Sequence, residues 1–528
     1  MKKTLVSLVA LIGFTSGLIA QKKDSVATQY SSTITAKDLK KHLSVIASDE
    51  YKGRETGRIG QKMTEKYLID RFKEFNLLSP EGYNYKQEFE VIVEKPDAHF
   101  IVNNDTVAFL EEYYFSEKYN EDLNFEDIVF IGYGIDNENY SDYKDVDVKG
   151  KLVLLLEDEP TDKKGKYLVS ESFGESKWSY NWRAKHAAAV KHGAKGVLTI
   201  VQDFDNKKEL VRYMVGSTRM RLASDQIDNS PSGLKDEVPK FYVSEIYGNK
   251  LLEKAGTNIK EIKSQIRKTK KTVTKTIEAK VKIDFNPNGD KLVSSNIVGY
   301  IEGNDKKNEV VVITAHYDHL GENGALIFNG ADDDGSGTVA LLELAEAFSK
   351  AKKEGRGPRR TIVFMAVSGE EKGLLGSSYY VSNPVFDLAS TVVNLNIDMV
   401  GRTDEKHEKN QDYIYLIGSD KLSMDLHNLS ENVNKTYTNL ELDYEFNDEN
   451  HPDQYYYRSD HYNFARNNIP VIFYFRGVHE DYHQATDTVD KIEFINLEKV
   501  AHLVFYTVWE IANRDNRLKV DATSVFKK

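Results

Sequence analysis

Histidine and carboxylate side chains are concentrated in two neighbouring stretches of the sequence. The first is an apolar run, 311–315, that is followed by His316 and Asp318. The second, 330–337, holds three consecutive aspartates between small residues and leads into an apolar segment. A short apolar run is typical of a strand buried on both faces, and the later segment indicates a buried helix. Histidine and carboxylate groups at the end of a central strand are suited to binding a divalent metal ion.

Three further apolar runs, at 361–367, 391–397 and 471–475, are also followed by residues that could bind a metal ion. These residues are Glu370, Glu371, Asp398, His479 and His483. Because the carboxyl ends of parallel strands meet at one edge of a sheet, we expect these side chains to converge. A capping cluster of aspartates with one incidental histidine would also explain the first two stretches if they stood alone. The repeated pattern favours a metal-centred hydrolytic site.

The composition limits which classes of protein are compatible with the chain. Its 528 residues are too many for one ordinary core, so two domains, or one domain with a large insertion, are expected. A hydrophobic fraction of 40% is normal for a globular protein. The formal net charge of -12 argues against nucleic acid as a partner. The absence of cysteine excludes disulfides, Cys-ligated zinc, a thiol nucleophile and a lipid-modified cysteine.

The first 20 residues have the features of a signal peptide. Lys2 and Lys3 precede an apolar stretch, 5–19, and cleavage is expected after Ala20. A membrane anchor would share these features, but the stretch is short for a transmembrane span. We therefore predict a secreted or periplasmic protein without stable membrane insertion after signal cleavage.

The order of elements indicates an α/β fold with an insertion. From residue 294 apolar strands alternate with helical segments, which implies a mostly parallel central sheet with helices on both faces. Short alternating runs from about residue 96 suggest a β-rich second domain instead. We predict that residues 21–100 and 285–528 form the main domain and that residues 101–284 are inserted into it. The turn at 53–57 is interpreted as structural, with Arg54 paired to a carboxylate.

The short motifs resemble a known family in identity, order and spacing. They read H-x-D, G-A-D-D-D-G-S-G, S-G-E-E-x-G-L-L-G-S, N-I-D-M-V-G-R and D-Y-H-x-x-x-D-T, over about residues 294–495. This pattern is similar to that of the di-zinc aminopeptidase and glutamate-carboxypeptidase-like metallopeptidases (clan MH, bacterial leucyl aminopeptidase type). The inserted segment, with V-K-G-K-L-V-L-L and K-H-A-A-A-V-K-H-G-A-K-G-V, resembles the protease-associated domain of some members.

The resemblance implies a set of zinc ligands. One zinc would be held by His316 and Asp398, the other by Glu371 and His483, and Asp333 would bridge the two. Cobalt or manganese could substitute for zinc. Two such metals lower the pKa of a bridging water and polarise the scissile carbonyl.

Two further residues receive catalytic roles from the resemblance. Glu370 would be the general base that takes a proton from the water and returns it to the leaving amine. Asp318 would hydrogen-bond the His316 ring and fix its tautomer.

The neighbours of these residues are expected to have lesser roles. Asp332 and Asp334 are interpreted as helix-capping or supporting residues, and His319 and His479 do not match ligand positions. Asp460 or His461 could border the substrate pocket, and the tyrosines at 455–457 could line it. None of these neighbours, which include Tyr455, Tyr456 and Tyr457, is assigned as a metal ligand.

The predicted function is that of a zinc metallo-exopeptidase acting on peptides, in the first place an aminopeptidase. A carboxypeptidase or dipeptidase would need cations for the substrate α-carboxylate; Arg458, or Arg212, Arg219 and Arg221 in the insertion, could supply them. Two more functions stay open: a glutaminyl cyclase, which shares the fold but uses one zinc, and a binding protein whose site has decayed.

Overall fold

The computed structural model describes residues 23–94, 98–115, 122–208, 219–225, 238–285, 290–448 and 451–521. The predicted signal peptide, residues 1–20, and Arg212 lie outside this part of the chain. By its internal contacts the chain divides into two units, Met1–Phe89 with Val293–Lys528, and Glu90–Leu292.

The strands have the following bounds: β1 (Lys86–Glu94), β2 (Ala98–Val102), β3 (Asp105–Thr106), β4 (Tyr113–Tyr114), β5 (Leu123–Phe130), β6 (Leu152–Leu156), β7 (Gly196–Val201), β8 (Arg219–Leu222), β9 (Lys240–Ser244), β10 (Lys275–Phe285), β11 (Lys291–Ile301), β12 (Lys306–His316), β13 (Gly321–Asn323), β14 (Leu326–Phe328), β15 (Arg360–Val367), β16 (Thr391–Ile397), β17 (Tyr413–Ile417), β18 (Glu441–Asp443) and β19 (Val471–Phe475).

The helices are α1 (Ser25–Ser31), α2 (Ala36–Ile46), α3 (Ile59–Glu74), α4 (Lys177–Tyr180), α5 (Trp182–Lys191), α6 (Glu245–Glu253), α7 (Ile259–Thr269), α8 (Gly337–Lys353), α9 (Leu375–Ser382), α10 (Met424–Tyr437), α11 (His461–Ala465) and α12 (Phe494–Asn513). Among the described residues, none of these helices combines the length and apolar character needed to span a bilayer.

The first unit is built on a sheet in the order β18-β17-β19-β16-β12-β15-β11-β1. Its four central strands, β19, β16, β12 and β15, are parallel. β11 and β17, which flank them, run antiparallel to their inner neighbours. The prediction of a mostly parallel α/β sheet is confirmed, and β16 and β19 have the bounds that the apolar runs predicted.

Both faces of this sheet are covered. Along β15, Ile362, Phe364 and Ala366 belong to one buried cluster, and the intervening Val363 and Met365 belong to another. Successive side chains of a strand point to opposite faces, so each cluster lies on its own side of the sheet. Helices α2, α8 and α12 pack against one another in the first cluster. The all-apolar sequences of the central strands follow from this double burial.

The second unit, Glu90–Leu292, has its own sheet in the order β3-β2-β10-β5-β6-β7-β9-β4. Strands β5, β6, β7 and β9 are parallel. The unit also contains helices, so it is mixed α/β rather than only β-rich, because parallel neighbours require crossover connections. Its bounds are wider than the predicted 101–284, and its likeness to a protease-associated domain stays a prediction.

Arg54 holds together the loops that lead to the acidic segment 331–336. Its side chain is fully buried and donates to the carbonyl oxygens of Ile46 (3.0 Å), Tyr317 (2.9 Å), Asn329 (2.6 Å) and Gly330 (2.8 Å). The predicted pairing of Arg54 with a carboxylate is therefore wrong. A guanidinium group can satisfy several carbonyl groups at once because it carries five N–H donors.

Replacing this arginine should destabilise the first unit. Arg54→Met should lower the free energy of unfolding by about 3 kcal/mol or more, since leaving one buried acceptor unsatisfied costs about 1–3 kcal/mol. The measurement is urea-induced unfolding followed by circular dichroism. Arg58→Met is the control: Arg58 is 40% exposed and its nearest carboxylate, Glu55, is 3.9 Å away. Equal losses in both variants would contradict the role given to Arg54.

Candidate metal centre

Four strands of the first unit deliver polar side chains to the same edge of the sheet. β12 ends at His316, β15 is followed by Glu370 and Glu371, and β16 is followed by Asp398. The loop after β19 carries His483, whose backbone is in the left-handed region (φ 56°). These strands are parallel, so their carboxyl ends lie side by side, which is the usual ligand-binding edge of an open α/β sheet.

Asp333 lies between two groups of side chains. Its Oδ1 atom is 3.3 Å from Nε2 of His316, and its Oδ2 atom is 3.1 Å from Nε2 of His483. His316 Nε2 is also 3.6 Å from Oδ1 of Asp398. His483 Nε2 is 3.3 Å from Oε2 of Glu371. The structure thus brings together all five residues that the resemblance assigned to metal binding, with one oxygen of Asp333 facing each group.

The spacing of these atoms suits zinc. Zinc bond lengths of about 2.0–2.1 Å in a tetrahedral site place neighbouring ligand atoms about 3.3–3.4 Å apart. The four separations, 3.1, 3.3, 3.3 and 3.6 Å, fall around this value. Imidazole nitrogens and carboxylate oxygens are also the donor types that zinc accepts. The residues present therefore fit a pair of metal ions that share Asp333.

Two other residues lie close enough to be considered as ligands. Asp334 is grouped with His316 and Asp398, and His319 with Asp333 and Glu371, by ligand atoms within 4.8 Å of one another. The carboxylate oxygens of Asp334 are used as hydrogen-bond acceptors. They accept the backbone N–H groups of His316, Gly337 and Met399 at 3.1, 2.8 and 3.2 Å. Asp333 is therefore the better bridging ligand. His319 Nδ1 is 2.7 Å from Oε1 of Glu371, which is a hydrogen-bond distance.

Negative charge dominates the electrostatics of the site. Burial by itself lowers the pKa of His316, but the carboxylates of Asp398 and Glu370 outweigh it and the pKa is raised. For His483, burial is likewise outweighed by hydrogen bonds to Asp333 and Glu371, and the pKa is raised to about 10. Both imidazoles are thus surrounded by more anionic groups than they can neutralise. Such a site attracts cations.

Glu370 belongs to neither ligand group and borders the cavity of the site. Its Oε2 atom is 3.9 Å from Nε2 of His316. Burial raises the pKa of Glu370 well above its usual value; His316 opposes this, and Asp398 and Glu371 add to it. A carboxylate with a raised pKa can accept a proton near neutral pH, as a general base must.

Asp318 makes different contacts from those predicted. The His316 ring nitrogen Nδ1 is 3.1 Å from the backbone oxygen of Asp318 but 3.9 Å from its carboxylate. The carboxylate instead accepts hydrogen bonds from the Thr56 hydroxyl (2.6 Å) and the Glu370 backbone N–H (3.3 Å). The predicted carboxylate–ring hydrogen bond is therefore wrong. The His316 tautomer is still fixed by this residue, through its main chain, because a carbonyl oxygen accepts only from Nδ1–H.

Residues outside the predicted set also position the site. Ser459 donates to Oδ2 of Asp398 at 2.6 Å, and Asp487 accepts the backbone N–H groups of Asp332 and Asp333 at 3.0 and 3.2 Å. Ser459 lies in the same segment as Asp460, and Asp487 lies in the motif that supplied His483, so proximity in sequence was the available signal. Asp332 accepts from the Gly401 N–H (2.6 Å) and lies 3.2 Å from Nε2 of His479.

The cavity beside Glu370 has a volume of about 40 Å³ and a largely aromatic wall. Besides ligand residues it is lined by Met399, Tyr455, Arg458, Phe473, Phe475, Val478 and Tyr482. Arg458 and Tyr455 thus border the pocket. Asp460 and His461 are fully buried and are not among the residues that line this cavity. Burial raises the pKa of Asp460 to about 7 and lowers that of His461 to about 3.

The buried imidazole and carboxylate donors at the carboxyl edge of this parallel sheet, with Glu370 outside both ligand groups, form a site suited to binding metal ions. Residues 296–508 match the model described as Peptidase family M28.

The comparisons with individual proteins cover different shares of the chain. Aminopeptidase YwaD from Bacillus subtilis is 39% identical over 115 residues, which are 21% of this chain and 23% of that protein. A probable glutamate carboxypeptidase from Arthroderma benhamiae is 43% identical over 105 residues, 20% of this chain and 14% of that protein. The chain thus matches less than a quarter of the length of either relative.

One solved structure extends the likeness to nearly the whole chain. The aminopeptidase from Aneurinibacillus sp. strain AM-1 aligns with a TM-score of 0.50 at 19% identity, covering 94% of this chain and 98% of that chain. This similarity supports the fold.

Loss of His483 should remove one metal ion and leave the other. His483→Ala should reduce the zinc content of the purified protein by about one equivalent, because His316, Asp333 and Asp398 remain in place. Zinc is counted by mass spectrometry after dialysis. His427→Ala is the control, since His427 bonds Ser419 rather than a ligand residue. Full zinc retention in the His483 variant would exclude it as a ligand.

Proposed function

We propose that the chain is a zinc metallo-exopeptidase that binds two zinc ions and acts as an aminopeptidase. The observation that carries this proposal is the placement of Asp333, with its two carboxylate oxygens directed at two separate histidine–carboxylate groups. The match of residues 296–508 to the family M28 model and the 39% identity over 115 residues to an aminopeptidase support it.

In this proposal His316, Asp398 and Asp333 hold one zinc ion, and Glu371, His483 and Asp333 hold the other. Bound zinc would supply a Lewis acid that polarises the scissile carbonyl and makes water more acidic. The protein contributes fixed ligand geometry through the hydrogen bonds to Asp398 and Asp333 described above.

Glu370 is assigned the proton transfers. It removes a proton from the attacking water and later gives it to the nitrogen of the leaving amine, so that the peptide bond breaks with proton balance. Tyr482 borders the same cavity, and its ring stacks on that of His483 with centroids 3.9 Å apart. Its hydroxyl is a hydrogen-bond donor available to the developing negative charge on the carbonyl oxygen.

A carboxylate at the cavity that is not a zinc ligand favours an aminopeptidase over a carboxypeptidase. A free N-terminal amine is a cation, and it would meet the carboxylate of Glu370 there. An aromatic and aliphatic wall formed by Met399, Phe473 and Phe475 would receive an apolar side chain.

A carboxypeptidase or dipeptidase is the second candidate, and Arg458 is the observation that favours it. Its guanidinium group lies over the Tyr455 ring at 4.8 Å and borders the cavity. An arginine at this place could bind a substrate α-carboxylate. Arg219 and Arg221 lie on β8 of the second unit, and their part in substrate binding stays a prediction.

We also propose that the protein works outside the cytoplasm, on the basis of the signal-like residues 1–20, and that the second unit is a protease-associated domain. Peptides are the proposed substrates.

Replacing the proposed base should separate catalysis from metal binding. Glu370→Gln should lower kcat by about 10²–10⁴-fold while two zinc ions remain bound, because general-base removal typically has this cost. Glu371→Gln, one residue away, should instead lose zinc. Activity is followed with an aminoacyl p-nitroanilide and zinc by mass spectrometry. More than a tenth of wild-type activity in Glu370→Gln would contradict the assignment.

The end of the substrate that is attacked can be read directly. The zinc-loaded protein is incubated with short peptides that carry either a free or an acetylated N-terminus, and the products are weighed by mass spectrometry. Loss of single N-terminal residues from the free forms only is expected. Shortening of acetylated peptides from the C-terminus would favour the carboxypeptidase, and a raised KM in Arg458→Met for those peptides would then assign the carboxylate-binding group.

A further inference from the structure

His319 is a buried histidine beside the second ligand group with no role in the reaction proposed above. Its side chain is fully buried. Its Nδ1 atom is 2.7 Å from Oε1 of Glu371 and 3.8 Å from Oδ2 of Asp333. Within the described part of the chain, its Nε2 atom makes no hydrogen bond. The polar contacts of the ring are therefore confined to the ligand group.

The distances distinguish a hydrogen-bond partner from a metal ligand. Two atoms bound to one tetrahedral zinc ion lie about 3.3–3.4 Å apart, whereas an N–H···O⁻ hydrogen bond is about 2.7–2.9 Å long. The separation of 2.7 Å between His319 and Glu371 has the second value. His483, at 3.1 and 3.3 Å from Asp333 and Glu371, has separations near the first.

His319 and His483 also lie next to different carboxylate oxygens of Glu371. His319 lies against Oε1, and His483 lies nearest Oε2. If Nδ1 of His319 carried no proton, two lone pairs would face each other at 2.7 Å, so the Nδ1–H tautomer is the one that fits. Oε1 is then occupied as an acceptor, and Oε2 is left for the metal ion.

The His319 ring is held in this orientation by its surroundings. A Cβ atom on Gly330 would lie 2.5 Å from the ring, so the main chain at Gly330, with φ 53°, packs directly against it. The backbone N–H of His319 donates to the Arg54 carbonyl at 3.3 Å. The His483 ring lies on another side, with centroids 6.0 Å apart at 66°. These contacts pack the ring from two sides and fix the backbone from which it projects.

We propose that His319 is a positioning residue that makes Glu371 a one-oxygen ligand of the second zinc ion, through Oε2. The inference rests on the proposed two-metal function. A carboxylate free to bind through both oxygens would raise the coordination number and weaken the geometry shared with His483 and Asp333. His319 thereby sets the affinity and coordination number of one metal position without binding the metal itself.

The test uses cobalt(II) as a probe in the full protein with three variants. His319→Leu removes the donor, and His319→Asn retains an N–H group near the position of Nδ1. His407→Leu is the matched control, because His407 is a buried histidine whose Nδ1 atom lies 2.7 Å from a carboxylate, Asp404, that is in neither ligand group. Cobalt binding is measured by titration calorimetry and by visible absorption, which is stronger when cobalt has fewer ligands.

His319→Leu should weaken binding of the second cobalt ion about 10–100-fold, the usual effect of removing a hydrogen-bond partner of a metal ligand. Its visible absorption per bound cobalt at that position should fall, because Glu371 then binds through both oxygens. His319→Asn should restore both values, and His407→Leu should leave them unchanged. Melting of the metal-free proteins shows whether each variant is folded.

Two results would overturn the proposal. Unchanged second-site affinity and absorption in His319→Leu would show that the hydrogen bond has no effect on the metal. Loss of the second site in His319→Asn as well as His319→Leu would identify His319 as a ligand. If the leucine variant does not fold, His319→Gln replaces it. Its amide reaches the place of Nε2 rather than Nδ1, so it should also weaken binding of the second cobalt ion and lower the absorption. A wild-type protein that binds one cobalt ion would refute the two-metal proposal itself, independently of the variants.

Discussion

The crowding of buried carboxylates at one edge of the sheet is the constraint on which the rest of the site depends. Asp333, Glu370, Glu371 and Asp398 converge there, and the imidazoles of His316 and His483 lie among them. Ionised carboxylates that share a dry site repel one another and are costly to bury unless cations or N–H donors compensate. The raised pKa values of both histidines reflect this imbalance. Divalent cations bound by the two ligand groups would balance this negative charge. The same carboxylates that repel one another without a metal ion would therefore attract one.

Two other buried carboxylates, Asp334 and Asp487, bind the backbone of the loops that carry the ligand residues. Asp334 receives three backbone N–H groups, and Asp487 receives two from the acidic segment itself. These hydrogen bonds favour the charged form of each carboxylate, but burial outweighs them and raises the pKa of both Asp334 and Asp487. Arg54 stabilises the same loops through their carbonyl groups, because its guanidinium group donates hydrogen bonds to the carbonyl oxygens of Tyr317, Asn329 and Gly330. Loop backbone that would otherwise be unsatisfied in a buried place is thus tied to side chains on distant parts of the chain.

The sequence predicts the sheet well and the contacts around the ligands less well. Apolar runs with a common polar ending identify β12, β15, β16 and β19 and the edge at which they meet, because burial on both faces leaves a clear local signal. The sequence gives no signal for the partner of Asp318, because Thr56 lies far away in sequence. It also does not show which oxygen of Asp318 the His316 ring contacts. The main-chain oxygen is 3.1 Å from Nδ1 of His316 and the nearest carboxylate oxygen is 3.9 Å away, which is a small difference. His461, the first residue of helix α11, packs against Phe473 instead of lining the pocket, and its sequence position did not reveal that contact.

Glu370 and Glu371 show how environment divides two neighbouring residues of one type. Burial raises the pKa of both, and Glu370, apart from both ligand groups, keeps a pKa well above its usual value. For Glu371, hydrogen bonds with His319 and His483 prevail over burial and over the charge of Asp333, and lower the pKa to about 2. A carboxylate that stays ionised is suited to hold a metal ion, and one that takes up a proton readily is suited to transfer it. The structure therefore gives a physical reason for the proposed roles of ligand and base, which the sequence analysis took from the resemblance and not from the two adjacent glutamates themselves.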